Sequence, residues 1–443
     1  MPNEIIDSIN AGIELKDNWN LDNTNYSFEK TVYLPIGLDT SKIKYFSNSD
    51  LILYFPGCDL SGYTSQYLTL SGAIYAEFNN IGSELYFNFS NKLHKVVFNR
   101  PIIFYRNNSY SNMFTGCKNL KEIVGLNNLI PSTRETTFNE FFKDCYLLET
   151  EMDLRDWNTS NITNMESTFS NCRKITNVDI STWDTSKVTT MYSMFNSCYE
   201  ATDYKFPDNF GSSSTNFNTM FAYNKSLKNV DFLNKFNTSN VVYMNYMFNG
   251  CESLEHIDIS TFDLGKVTNF GSMFMNCTNL KTVIFPDSAT ENCDIGYLFS
   301  GCSNLEYAKI PDFVPRFSIY NFANNNNKLI AVDGSISLKK YTSSSTFNNI
   351  FPTSCRRFVY KDIGYNSTHT STSLSNATRW GIETDDVRTK GAKQSVIDSL
   401  ITYSFDRAAA GYSASRIWIA NYTKELLTED EIAQITAKGY TLI

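Results

Sequence analysis

The chain has 443 residues, 42% of them apolar and 15% aromatic, and a net charge of −8. That length fits two or three ordinary domains or one long repeat array, with enough apolar residues to bury a core. An acidic chain without a basic run lacks the clustered Lys and Arg that phosphate contacts need, so nucleic acid is not an expected partner. No stretch approaches the roughly 18 apolar residues of a membrane span, so no membrane insertion is expected.

The opening MPNEIIDSINAGIELKDNWN has acids where an export signal carries bases and contains no apolar core, so export by the usual route is not expected. Residues 1–50 show no repeat. They are rich in Asn, Asp and Ser, with alternating pieces such as TVYLPIGL, and are expected to form an N-terminal cap or attachment segment.

Residues 51–355 are expected to form a repeat array of about ten turns of about 26 residues, clearest over 110–310. Its landmark is a Phe followed three residues later by Cys. Phe114, Phe142, Phe169, Phe195, Phe221, Phe248, Phe274 and Phe299 are 25 to 28 residues apart. The matching cysteines are Cys117, Cys145, Cys172, Cys198, Cys251, Cys277 and Cys302, with Asn224 in place of Cys after Phe221. A fixed period of this length indicates stacked coils. Weaker turns are expected around Phe87 with Leu93 and Phe322 with Leu329, and eroded ones at YFPGCDL (54–60) and IFPTSC (350–355).

Each repeat has two halves. Ile162, Met165, Phe169 and Cys172 fall at i, i+3, i+7 and i+10, as do Val241, Met244, Phe248 and Cys251, which predicts a short helix with one apolar stripe. Thr159-Ser160, Thr185-Ser186 and Thr238-Ser239 precede these stripes and are expected to cap them. The second half alternates, as in Val178 and Ile180, Val230 and Phe232, Ile257 and Ile259, which predicts a short strand with one buried face. Stacking would pair these strands in parallel and shut the cysteines inside as a ladder of free thiols, since no C-x-x-C occurs and stacked side chains run parallel.

With Val178 and Ile180 inward, their neighbours face solvent. The outward ladder is Glu122, Val124; Glu151, Asp153; Asn177, Asp179; Asp203, Lys205; Asn229, Asp231; His256, Asp258; Thr282, Ile284; Tyr307, Lys309. From it, Asp153, Asn177, Asp179, Asp203, Lys205, Asn229, Asp231, His256, Asp258, Tyr307 and Lys309 are the candidate partner-binding residues. The column Asp153, Asp179, Lys205, Asp231, Asp258 is either a groove for a cation or basic partner or a solvated face that keeps the sheet soluble, and the second fits better. The aromatic column Trp157, Trp183, Phe236, Phe262 recurs with the core and is expected to plug the bend after each strand rather than stack sugars.

Residues 356–443 change character and are expected to form a C-terminal cap module. GAKQSVIDSLITYSF predicts a helix and RIWIA (416–420) a strand. Thr428 and Glu431 form a capping-box pattern for a helix that stops at Gly439 before a final strand.

Catalytic patterns are missing. His94, His256 and His369 have no partner at i+4, and there is no G-x-S-x-G, Walker loop or G-x-G-x-x-G. GYSAS (411–415) lacks the terminal Gly of a nucleophile elbow. No catalytic residue, metal or cofactor is expected.

The phrases DISTWDTSKVTTMYSMFNSC (179–198) and DISTFDLGKVTNFGSMFMNC (258–277) resemble the BspA-like leucine-rich repeats of bacterial surface and adhesion proteins, over about residues 87–330. The C-terminal LTEDEIAQITAKGYTLI resembles the module that closes such arrays in gut Bacteroidetes and their phages. The resemblance implies an α/β repeat solenoid, a leucine-rich-repeat array of short parallel strands and short helices capped at both ends. It also implies a non-enzymatic binding or adhesion role towards a host surface protein or glycan. The absence of an export signal tilts the expected setting to the virion surface, as a phage fibre or tail protein. The alternatives are a bacterial cell-surface adhesin and a structural protein that docks only on other virion proteins. A homo-oligomer would suit a fibre, although no heptads support one.

Overall fold

The computed structural model describes residues 111–131, 135–149, 151–315, 321–337 and 427–442, with Ile319 and a number of separate strands and short pieces elsewhere. The weak turn at Phe87, the phrases at 56–60 and 350–354, and most of residues 1–50 lie outside the described residues. The chain divides into two compact units, Met1–Ser214 with Tyr223–Lys225, and Thr215–Ala222 with Ser226–Ile443. Each is built of parallel β-solenoid coils, about seven in the array.

In the first unit β1 (Lys44–Phe46) pairs antiparallel with β2 (Ile52–Phe55), and β2, β3 (Tyr75–Phe78), β4 (Lys95–Phe98) and β5 (Glu122–Val124) pair in parallel in that order. A second parallel sheet joins β6 (Met152–Asp153), β7 (Asn177–Asp179) and β8 (Asp203–Lys205), with Met152, Val178 and Tyr204 in one column. In the second unit β9 (His256–Asp258), β10 (Thr282–Ile284), β11 (Tyr307–Pro315), β12 (Ala331–Ser337) and β13 (Arg357–Lys361) pair in parallel. Gly334 in β12 has φ +115°, and a Cβ there would overlap the Ile310 carbonyl, so this close approach of two strands requires glycine.

The predicted helix does not form. In every repeat from Phe114 to Phe299, the residue two before the Phe and the residue two after it have positive φ, for example Ser167 (54°) and Asn171 (62°) around Phe169. Such residues end a right-handed helix. Consecutive i→i+3 turns take its place, as in Ser170 N–H to Ser167 O and Cys172 N–H to Phe169 O, both at 3.1 Å. The alternate amides point along the array instead: Ser167, Phe169 and Asn171 N–H donate to the carbonyls of Tyr192, Met194 and Asn196 on the next coil at 2.7–2.9 Å. A helix would have spent those amides internally, and a seven-residue helix would have been too short to hold itself. The apolar stripe stays because each turn still brings Met, Phe and Cys inward.

The expected caps also differ. Thr159 Oγ1 accepts from Asp184 N–H at 2.8 Å, and Thr238 Oγ1 from Asp263 N–H at 2.8 Å, so these threonines bridge coils. The local caps are the preceding Asx residues: Asn158 Oδ1 takes Ser160 N–H, Asp184 takes Ser186 N–H and Asn237 takes Ser239 N–H. Asn164, Asn216 and Asn269 do the same for the turn that leads into each Phe.

The core is a set of columns. Phe142, Phe169 and Phe195 stack at centroid distances of 5.6 and 5.3 Å in the first unit, and Phe221, Phe248, Phe274 and Phe299 at 5.7, 5.7 and 5.9 Å in the second. The cysteines from Cys117 to Cys302 are free and fully buried. The thiols of Cys145, Cys172, Cys198, Cys251, Cys277 and Cys302 each donate to the Phe carbonyl of the preceding coil, as Cys172 does to Phe142 O at 3.1 Å and Cys277 to Phe248 O at 3.0 Å. Asn224 keeps that bond, Nδ2 to Phe195 O at 2.7 Å, and its Oδ1 accepts from the Tyr204 hydroxyl. Trp157, Trp183, Phe236 and Phe262 are buried and stack in pairs, which makes them plugs of the bend.

The downstream coil is shifted by one from its expected register. Phe322 O accepts from Phe299 N–H, the part played by Leu298 O for Phe274, so Phe322 holds the position before the Phe column and Ala323 holds the column itself. Leu329 then falls six after Ala323, as Leu305 does after Phe299. At the C-terminus the capping box of Thr428 and Glu431 is present in both directions and opens α1 (Glu429–Ala437). Gly439 is left-handed, and β15 (Tyr440–Leu442) pairs in parallel with β14 (Ser415–Ile417).

Candidate functional site

Alternate strand residues face out because the pleat leaves no other choice. In the first unit Asp153, Asp179 and Lys205 share one column and Asn177 and Asp203 the next, as expected. Cations cross-link the acidic column. Arg155 Nε and Nη2 donate to both Asp153 oxygens at 2.8 and 2.7 Å, and Arg155 also lies 3.7 Å from Asp179 Oδ2. Lys205 approaches the same oxygen at 3.6 Å. The Arg155 hydrogen bonds hold the Asp153 carboxyl below the usual range and raise the guanidinium in turn. Asp179, the least exposed of them, further accepts from Ser181 N–H and Oγ–H at 3.1 and 2.7 Å. This half of the face is therefore a closed ion-pair network, not a cation groove.

The second unit is different. Asn229 and Asp231 were expected on a strand with Phe232 inward. Instead Asp231–Lys235 is a 3-10 helix, and Leu233 enters the core while Phe232 stays half-buried. The cause is one extra residue: Val230 to Phe236 spans six steps, where Ile257 to Phe262 spans five. The extra residue is absorbed by tightening the chain into i→i+3 bonds, Leu233 N–H to Val230 O and Phe236 N–H to Leu233 O.

That detour leaves an open recess of about 690 Å³ beside β9, lined by Asn229, Asp231, Asn234, His256, Asp258 and Thr282 among others. Four of the candidate residues thus meet in one place. Asn229 Nδ2 donates to Asp231 Oδ2 at 3.0 Å, and His256 Nδ1 lies 2.7 Å from Thr282 Oγ1. Asp258 Oδ1 takes Ser260 N–H at 2.8 Å. The walls mix groups that only accept (Asp) with groups that both donate and accept (Asn, Thr, His). Tyr307 and Lys309 lie further along the same sheet and are occupied: the Tyr307 hydroxyl donates to Asp333 Oδ2 at 2.8 Å, and Lys309 pairs with Asp287 at 2.7 Å. Arg155, Asn234 and Asp287 escaped the sequence reading because they lie in bends outside the alternating pattern. The longer spacing before Phe236 was the available signal for the recess.

Among the described residues no cluster of three His, Cys, Asp or Glu can hold a metal ion, and no helix is long and apolar enough to cross a membrane.

Coils of about 26 residues, a parallel strand in most of them and buried Phe, Cys and Leu columns define a leucine-rich-repeat β-solenoid. The family model described as "Mycoplasma protein of unknown function, DUF285" matches residues 108–205, 136–231 and 208–312, a little under half of the chain. The repeats of the array are similar to that family over these residues. No curated protein matches the chain. Among solved structures, the chain is similar to a leucine-rich cell surface protein from Faecalibacterium prausnitzii, at 15% identity over 77% of this chain and 97% of that one, TM-score 0.35. It is also similar to a leucine-rich-repeat protein from Bacteroides ovatus, at 15% identity over 72% and 89%, TM-score 0.36.

Proposed function

We propose that the array is a non-enzymatic binding and adhesion module, and that it holds a host-surface glycan in the recess beside β9. The observation that carries this reading is the convergence of Asn229, Asp231, His256 and Asp258 on one open depression. Groups that both donate and accept, set beside fixed carboxylate acceptors, match vicinal hydroxyls, which do the same. Residues 1–50 and 356–443 cap the array or attach it, since an open solenoid end exposes apolar edges.

Two settings present such a module to a host: a virion fibre or tail, and a bacterial envelope. Antibody labelling of purified particles and of intact bacteria separates them. Binding is tested by retention of the purified protein on host cells. Asp231→Lys with Asp258→Lys is expected to lower retention at least tenfold, and deglycosylation of the cells to do the same. Retention that survives both changes removes the recess from the mechanism. No retention on any host cell, with capture by other virion proteins, favours a purely structural role.

A further inference from the structure

The residue one past each Cys-position side chain faces outward, and in the first unit that column reads Lys118, Tyr146, Arg173, Tyr199, Lys225. Cation and ring alternate, and each ring is flanked by the cations of the coils before and after it. Lys118 Nζ lies 5.6 Å from the Tyr146 centroid, Arg173 Cζ 4.1 Å from Tyr146 and 5.2 Å from Tyr199, and Lys225 Nζ 5.6 Å from Tyr199. These are cation–π distances. The corresponding column in the second unit is Glu252, Thr278 and Ser303, so the ladder does not follow from the repeat itself.

Arg173 is clamped between two rings and has no carboxylate. Its Nε–H is buried and has no acceptor among the described residues. A buried donor without an acceptor is costly to keep and calls for an explanation. The Tyr146 and Tyr199 hydroxyls and the Lys118 ammonium have no hydrogen-bond partner among the described residues either. The hydroxyls and the ammonium can donate, and with the Arg173 side chain they line a recess of about 670 Å³ that also takes in Asn119, Lys174 and Glu200. Glu200, its one carboxylate, is paired with Lys174, so Lys118 and Arg173 leave the recess net positive on a chain of net charge −8.

We infer that this recess binds an acidic polysaccharide, whose carboxylate or sulfate oxygens accept from Arg173 and Lys118. The guanidinium fork, pre-set by the two rings, suits a planar or tetrahedral oxyanion. Lys118 and Arg173 lie two coils apart, roughly 10 Å at the parallel-strand spacing. A nucleic-acid strand carries a charge about every 3.4 Å and stacks its bases on open aromatic faces. Here cations cover the rings and the charges are sparse, so a sparsely charged, acceptor-rich chain fits better. The site is independent of the recess beside β9.

The test is titration of the full chain with chondroitin sulfate in low salt, with unsulfated dextran and poly-glutamate as the other arms. Saturable binding to chondroitin sulfate alone is expected, weakening as ionic strength rises. Arg173→Gln should weaken it at least tenfold. Arg173→Lys should weaken it several-fold, because a lysine keeps the charge and loses the fork. Asp231→Lys with Asp258→Lys should not weaken it. Thermal melts confirm that each variant is folded; if Arg173→Gln does not fold, Lys118→Gln, at an exposed position, carries the test with a several-fold loss expected. Equal binding of dextran, tighter binding of poly-glutamate, or affinity unchanged in the folded variants would overturn the assignment.

Discussion

Asn224 and Tyr204 form a matched exchange within the thiol ladder, and a double-mutant cycle tests it. Elsewhere the position three past the Phe is Cys and the inward strand residue is a smaller aliphatic such as Val178, with the thiol bonded to the preceding Phe carbonyl. Asn224 makes the same bond through Nδ2, at 2.7 Å to Phe195 O. Its carboxamide is bifunctional, so Oδ1 needs a donor in a buried site, and Tyr204 supplies it. Asn224→Cys restores the thiol bond but deprives the Tyr204 hydroxyl of its carboxamide acceptor. Tyr204→Phe deprives Asn224 Oδ1 of its phenolic donor. Each removes one side of a buried hydrogen bond, at about 1–3 kcal/mol. The double variant removes both halves of the pair and repeats what the other coils do. It should cost less than the sum of the singles by about 1–2 kcal/mol, read from urea unfolding followed by circular dichroism. Singles that add to within about 0.5 kcal/mol would refute the idea that these two residues changed together.

Burial pushes the column thiols up, Cys277 to about 12, and does the same to Cys293 outside the column. An unfolded thiol ionises near 8.5, so the fold holds these protons more tightly. Stability is fully present below about pH 8.5 and falls as pH rises towards 12, by on the order of 2 kcal/mol per buried thiol at pH 10. Urea midpoints at pH 7 and pH 10 check this, and a thiol reagent at pH 8 should label the column cysteines only after unfolding. Tyr223 holds φ 60° at a position where Gly116, Gly250 and Gly301 serve other coils, and its side chain is exposed. Tyr223→Gly should relieve the left-handed strain and raise stability by up to about 1 kcal/mol; a lower urea midpoint would contradict that.

The period of Phe and Cys was enough to read the array, its buried columns and the outward ladder, because stacked identical positions must be alike to pack. Val178 and Ile257 face inward and Asp179 and Asp258 outward as the alternation requires. The capping box at Thr428 was legible for the same local reason. The helix was not, since i, i+3, i+7 and i+10 spacing is shared by a helix and by a chain of i→i+3 turns. What separates them is where the alternate amides donate, and that depends on the neighbouring coil. The sequence thus determined which side chains are buried and which repeat, through periodicity alone. The tertiary structure decided that the apolar stripe is a turn ladder, that one extra residue before Phe236 opens a recess, and that Arg173 lies between two tyrosines. Each of these arises from the contact of one coil with the next, over about 26 residues of intervening chain.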